Sequence, residues 1–164
     1  MIAVDAYARA EAVLAAFRAR GWTLATAESC TGGLVAGSLT AVPGSSDVVD
    51  RGFVTYSNAA KTALLGVPEA LLAARGAVSA ETARAMAEGA CRAAGVDAAV
   101  AITGVAGPGG GSAEKPVGLV HFACARRDGW LMPLERRYGD LGRDEVRHRA
   151  VLDALDLLAA AAKD

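Results

Sequence analysis

Apolar positions recur at helical spacing through the first twenty residues. Val13, Leu14 and Phe17 share one face of a helix predicted from about Val4 to Arg20, and Gly21 stops it. Trp22 to Ala27 is a short apolar strand. Thr31 to Val42 reads as a second helix, opened by Gly32 and Gly33 and closed by Pro43 and Gly44. Val48 to Tyr56 reads as a strand, and Asn58 as the N-cap of a helix that carries Lys61. Ser79 is the expected N-cap of a long helix reaching Gly95. Asp97 to Thr103 is a buried strand, and a glycine-rich loop follows from Gly104 to Lys115. Val117 to Arg126 and Trp130 to Arg137 form a hairpin around Asp128-Gly129, and a last helix runs from about Arg143 to Ala162. Alternating helices and strands with a late hairpin predict an α/β fold: a three-layer α/β/α sandwich with a mixed, mostly parallel sheet.

Composition sharpens this picture. The 164 residues suit a single domain spanning 1–164, with no repeat and no linker to divide it. The chain is 53% hydrophobic yet only 5% aromatic, so alanine and aliphatic side chains must fill the core. A net charge of −1 offers no basic excess for a phosphate backbone, which argues against a nucleic-acid partner. Cys30, Cys91 and Cys124 are widely spaced and only two histidines accompany them, so neither a disulfide framework, a metal site nor a cofactor is expected. No apolar run approaches the roughly 20 residues needed to span a bilayer, and the N-terminus lacks a signal-peptide layout. The expectation is a cytoplasmic protein without a membrane partner. The apolar helix faces leave room for a homodimer.

Polar residues concentrate in three places. The first is Ala27-Glu28-Ser29-Cys30-Thr31-Gly32-Gly33, at a strand end that opens a helix. Unpaired amides at such a point can stabilise an oxyanion beside an attacking hydroxyl. The plainer role for Ser29 or Thr31 is capping. Cys30 reads as a small packed residue beside the turn. The second is Gly52 to Lys61. Only three of the 17 basic residues are lysines, and a desolvated lysine can serve as a base where arginine cannot. Lys61 is therefore a candidate base and Tyr56 a hydroxyl to orient it or relay a proton, the alternative being an exposed helix lysine. Ser57, four residues before Lys61, is a rival nucleophile.

The third cluster, Thr103-Gly104-Val105-Ala106-Gly107 and onward to Lys115, follows a buried strand, where α/β proteins usually bind ligands. It is neither a Walker A loop nor a dinucleotide fingerprint. It suits a nest around a phosphate or ribose, or a flexible hairpin connection. Arg143 and Arg147, four apart on the last helix, share a face that can clamp a phosphate or pair with acids such as Asp144. His121, among apolar neighbours, reads as structural.

Four blocks together resemble the signatures of the CinA C-terminal domain family: TAESCTGG at 26–33, RGFVTYSNAAK at 51–61, GAVS at 76–79 and ITGVAGPGGGSAEKPVG at 102–118. The resemblance spans nearly the whole chain and is to the stand-alone form rather than the form with a further N-terminal domain. It implies an α/β/α sandwich and deamidation of nicotinamide mononucleotide to nicotinate mononucleotide and ammonia, within pyridine nucleotide recycling. It also implies a serine–lysine mechanism: Ser29 matches the nucleophile position, Lys61 the general base and Tyr56 an assisting hydroxyl, with Thr31 as the reserve nucleophile. The small-molecule nucleotide would then be held by Cys30, Thr31, Gly32, Gly33, Thr103, Gly104, Ala106, Gly107 and Arg143 or Arg147. A nucleotide-binding regulatory module, a partner-interaction domain and an acyltransferase stay open as alternatives.

Overall fold

The computed structural model describes residues 1–163. Its elements in chain order are α1 (Val4–Arg20), β1 (Leu24–Glu28), α2 (Leu34–Thr40), β2 (Val49–Val54), α3 (Asn58–Leu65), α4 (Glu69–Arg75), α5 (Ala80–Ala94), β3 (Ala98–Gly104), β4 (Leu119–Arg126), β5 (Leu131–Arg137) and α6 (Arg143–Lys163). The sheet order is β2-β1-β3-β4-β5. β1 is parallel to both β2 and β3, while β4 is antiparallel to both β3 and β5. Among the described residues four of the five strands therefore run in one sense and β4 alone is reversed. This is the expected α/β class with a mixed sheet flanked by helices.

Strand periodicity divides the core into two unlike halves. Val100, Ile102, Val120 and Phe122 point to the face covered by α1, α2 and α6. Ala99, Ala101, Ala123 and Ala125 point to the face covered by α3, α4 and α5. The large side chains of Leu14, Phe17, Leu155 and Leu158 fill the first side. The alanine side lets α5 lie close to the sheet, so that small side chains close the gap in a core poor in aromatics.

Close approach continues between α3 and α5. A Cβ on Gly89 would stand 1.9 Å from the carbonyl oxygen of Leu65, so α3 could not keep its place. Gly89→Ala is expected to destabilise the fold by about 1–3 kcal/mol despite alanine's higher helix propensity, read as the shift in urea midpoint. A stabilised variant would show that the contact has slack.

Several boundaries move from their expected places. α2 starts at Leu34 rather than Thr31, because Gly32 (φ 58°) and Gly33 (φ 101°) spend the intervening residues on a left-handed turn. β2 stops at Val54, which leaves Tyr56 outside the strand. The N-cap of α3 is Ser57, whose Oγ accepts from the Ala60 amide at 3.0 Å; Asn58 is the first helical residue. The Ser79 cap of α5 and the Gly21 stop of α1 lie where predicted. α4 and a 3₁₀ turn at Ser45–Asp47 were not foreseen. α4 is seven residues long and buries only Leu72, too little to make a visible period.

Candidate active site

The chain leaves β1 toward β2 on one side and returns to β3 on the other. The carboxyl ends of β1 and β3 thus frame the crevice where an open α/β sheet changes winding direction. Ser29 is the first residue beyond β1, and its amide donates to the Ile102 carbonyl at 2.9 Å. Thr55, just past β2, donates its amide to the Glu28 carbonyl at 2.8 Å. These two bonds hold both strand ends in register at the mouth of the crevice.

Lys61 lies in the first turn of α3, and its side chain runs back beneath the strand ends. Its Nζ donates to the Thr55 carbonyl at 2.7 Å and lies 3.1 Å from Ser29 Oγ. The residue is only 1% exposed, and it pairs with no carboxylate among the described residues. Burial penalises the ammonium form and lowers the amine's pKa from its ordinary value, with Cys30 acting in the opposite sense. A neutral amine in this position has a lone pair for the serine proton while one N–H stays on Thr55.

The turn that presents Ser29 is built around a group the sequence reading left unassigned. Glu28, fully buried, accepts from Thr31 Oγ1 at 2.6 Å and from the amides of Gly33, Val35 and Ala36 at 3.1, 3.0 and 2.9 Å. Its carboxylate therefore occupies the donors at the start of α2 that were expected to meet a ligand. The sequence clue was an acid three residues ahead of a threonine at a glycine-opened helix start.

This changes the roles of several predicted residues. Thr31 is buried and its hydroxyl is committed to Glu28, so it is not poised as a reserve nucleophile. The Gly32 amide donates to the Ser29 carbonyl and the Gly33 amide to Glu28, so these glycines shape the turn and do not offer amides to a ligand. The amides of Cys30 and Thr31 donate to no carbonyl or side-chain oxygen among the described residues; Cys30 lines the cleft beside Ser29, while Thr31 lies buried just behind it. The Cys30 thiol is buried and its pKa is pushed up to about 12 by desolvation, which makes it a poor nucleophile. The Ser57 hydroxyl is occupied as a helix cap and the Lys61 amine reaches Ser29 and Thr55 instead of it, which removes it as the rival; Ser57 meets Lys61 only through the main-chain bond from the Lys61 amide to the Ser57 carbonyl.

A cleft of about 240 Å³ opens in front of Ser29. Ser29 and Cys30 form one side, Gly104 to Gly107 with Gly109 and Gly110 the other, and Tyr56, Val78 and Arg143 the rim. Gly104 is required by crowding: a Cβ there would stand 2.7 Å from the Leu119 carbonyl oxygen. Arg143, the first residue of α6, donates to the Gly107 carbonyl at 2.7 Å and to the Tyr56 hydroxyl at 2.9 Å. Tyr56 is 61% exposed and bonds to Arg143 rather than to Lys61, so it is not placed to orient the amine or relay a proton from it, whereas Lys61 Nζ contacts Ser29 Oγ directly.

Two predicted contacts face inward. Arg147 donates to the carbonyls of Cys30 and Thr31 at 3.1 and 3.4 Å, bracing the turn from behind instead of clamping a ligand beside Arg143. Thr103 is buried and donates to the Ala77 carbonyl at 2.7 Å, tying β3 to the segment that carries Val78. Neither lines the cleft. Among the described residues no cluster of three or more His, Cys, Asp or Glu is placed to hold a metal. His121 is buried against β5, where desolvation lowers its pKa, in keeping with a structural role. No helix among the described residues is long and apolar enough to cross a membrane.

Comparison with known proteins finds relatives of the same fold. A family model described as the CinA C-terminal domain matches residues 6–162. A CinA-like protein of Synechococcus sp. is 60% identical over 150 residues, covering 91% of this chain and 36% of that protein. The chain thus spans about a third of the length of such relatives. The nicotinamide-nucleotide amidohydrolase PncC of Enterobacter agglomerans is 52% identical over 142 residues, covering 86% of this chain and 85% of that protein. The crystal structure of the competence/damage inducible protein CihA from Agrobacterium tumefaciens superposes with a TM-score of 0.96 at 52% identity, covering 98% of both chains. A CinA superfamily protein from Klebsiella pneumoniae gives 0.91 at 37% identity, covering 96% of this chain and 98% of that one.

Proposed function

This chain belongs to the CinA C-terminal domain family, and we propose that it is an amidohydrolase that converts nicotinamide mononucleotide to nicotinate mononucleotide and ammonia. The observation that carries the proposal is the buried, unpaired Lys61 amine 3.1 Å from the Ser29 hydroxyl at the floor of an open cleft. The amidohydrolase name of the Enterobacter relative, which this chain matches over most of both lengths, supports the choice of substrate.

In the proposed mechanism neutral Lys61 takes the Ser29 proton as Oγ attacks the carboxamide carbon. The amides of Cys30 and Thr31 receive the developing oxyanion, a role worth about 3 kcal/mol per donor. Lys61 returns the proton to the amide nitrogen, and ammonia leaves. Water then attacks the acyl-enzyme, giving its proton to Lys61. Collapse restores Ser29 Oγ–H and releases the carboxylate.

Remote binding falls to Arg143 and the loop of Gly104, Ala106 and Gly107. Two bonds, to Gly107 and Tyr56, fix the Arg143 guanidinium and leave further N–H donors for the substrate phosphate. Tyr56 acts here by orienting Arg143. Arg143→Ala is expected to lower kcat/KM about 10- to 100-fold, most of it through KM, in steady-state ammonia release. A loss confined to kcat would move Arg143 from binding to the chemical step.

The test of the function is ammonia release from nicotinamide mononucleotide compared with free nicotinamide. Turnover of the nucleotide, little turnover of the base and none in Ser29→Ala are expected. Saturable binding of the nucleotide with no ammonia would leave a ligand-holding module instead.

A further inference from the structure

A larger cavity, of about 560 Å³, lies at the opposite end of the sheet from Ser29, between the last turns of α5 and the turn joining β4 to β5. Arg84, Glu88 and Arg92 follow one another at four-residue spacing along the α5 face that borders it. Arg84 donates to Glu88. Arg127 donates to the Gly95 and Val96 carbonyls, covering the negative end of α5. Arg126, 10% exposed, pairs with Asp128 and stands over the rings of Trp22 and Trp130 at 5.0 and 5.5 Å. Arg92 is exposed and makes no hydrogen bond or ion pair among the described residues.

Once Glu88 offsets Arg84 and Asp128 offsets Arg126, Arg92 and Arg127 remain against the single acid Asp97, an excess of one positive charge beside the cavity. Asp97, also near, is turned to the Thr23 amide at 2.9 Å. Leu131 adds apolar surface opposite, and Trp130, whose ring lies beneath Arg126 and packs with the core on the other face of the sheet, borders it. The Cys91 thiol at the floor is buried, bonded to the Ala125 carbonyl at 3.5 Å and raised to about 11 in pKa by desolvation, so the chemistry of this cavity is binding and not thiol reaction. A cavity of this size with apolar surface beside exposed cations is a usual form of a small-molecule site.

We propose that this cavity is a second, non-catalytic site for a nucleoside phosphate, its phosphate on Arg92 and Arg127 and its base against Leu131. The proposal is independent of whether the Ser29 cleft hydrolyses an amide.

The test uses adenosine monophosphate as the probe and tryptophan fluorescence as the readout, since Trp130 is one of two tryptophans in the chain. A saturable change is expected. Adenosine, lacking the phosphate, should bind at least about tenfold more weakly. Arg92→Ala, an exposed change, should weaken the nucleotide by a similar factor, while Arg143→Ala leaves its affinity unchanged. No saturable response would overturn the proposal, as would equal affinity for adenosine. So would binding that survives Arg92→Ala and disappears in Arg143→Ala, which would put the probe in the Ser29 cleft.

Discussion

Lys61→Met is expected to cut the turnover of nicotinamide mononucleotide about 10²- to 10⁴-fold, the usual contribution of a positioned general base, without unfolding the protein. Methionine nearly matches the lysine stem in length and carries no charge to desolvate. The side chain it replaces is 1% exposed, so the new thioether sits in a site already shielded from water. The Thr55 carbonyl loses its 2.7 Å donor, a cost of about 1–3 kcal/mol, while the penalty of burying an amine disappears. The melting temperature should therefore stay close to that of the parent while ammonia release falls. Lys61→Arg should fail as badly, since a guanidinium does not give up its proton at working pH. Near-normal turnover in the methionine variant would remove Lys61 from the mechanism.

Glu28→Ala is expected to destabilise the protein by about 3–5 kcal/mol and to abolish activity. Three backbone amides and the Thr31 hydroxyl lose their acceptor inside the fold together. Relief from burying a carboxylate offsets part of this, but the Val35 amide and the Thr31 hydroxyl are buried away from water. Because Ser29 sits one residue away, the turn that aims its hydroxyl should relax as well. Glu28→Gln should lie between, since one carboxamide oxygen still accepts while the NH₂ faces donors. Urea denaturation of the two variants gives the order, and an alanine variant as stable as the parent would show that the carboxylate is dispensable.

The helices and strands were legible where burial imposes a period. α1, α5, β3 and the β4–β5 hairpin follow the expected ranges within a few residues because α1 and α5 each pack one face and β3 and β4 are buried on both. α4 escaped because a single buried leucine makes no pattern. At the site, Ser29, Lys61, Gly104, Ala106, Gly107 and Arg143 could be picked out by residue type and neighbours, and the fold brings them to one crevice. The direction of a side chain was not readable in the same way. Arg143 and Arg147 share a helix face and one turn separates them, yet one reaches the cleft rim and the other the back of the Ser29 turn. Thr31 looked like Ser29 as a hydroxyl at a turn, and only the buried Glu28 distinguishes them. A carboxylate whose partners are mostly main-chain amides leaves almost no mark in a sequence, since any residue can supply those amides.

The pH dependence of kcat/KM for ammonia release from nicotinamide mononucleotide tests the central claim most directly. Lys61 must be neutral to accept the Ser29 proton, so activity should rise with pH as the ammonium form is lost. Burial lowers this pKa from its ordinary value, so a single ascending limb is expected, with a midpoint below the roughly 10.4 of a free lysine. That limb should vanish from the residual activity of Lys61→Met. A profile flat through this range, or an ascending limb that Lys61→Met retains unchanged, would contradict it.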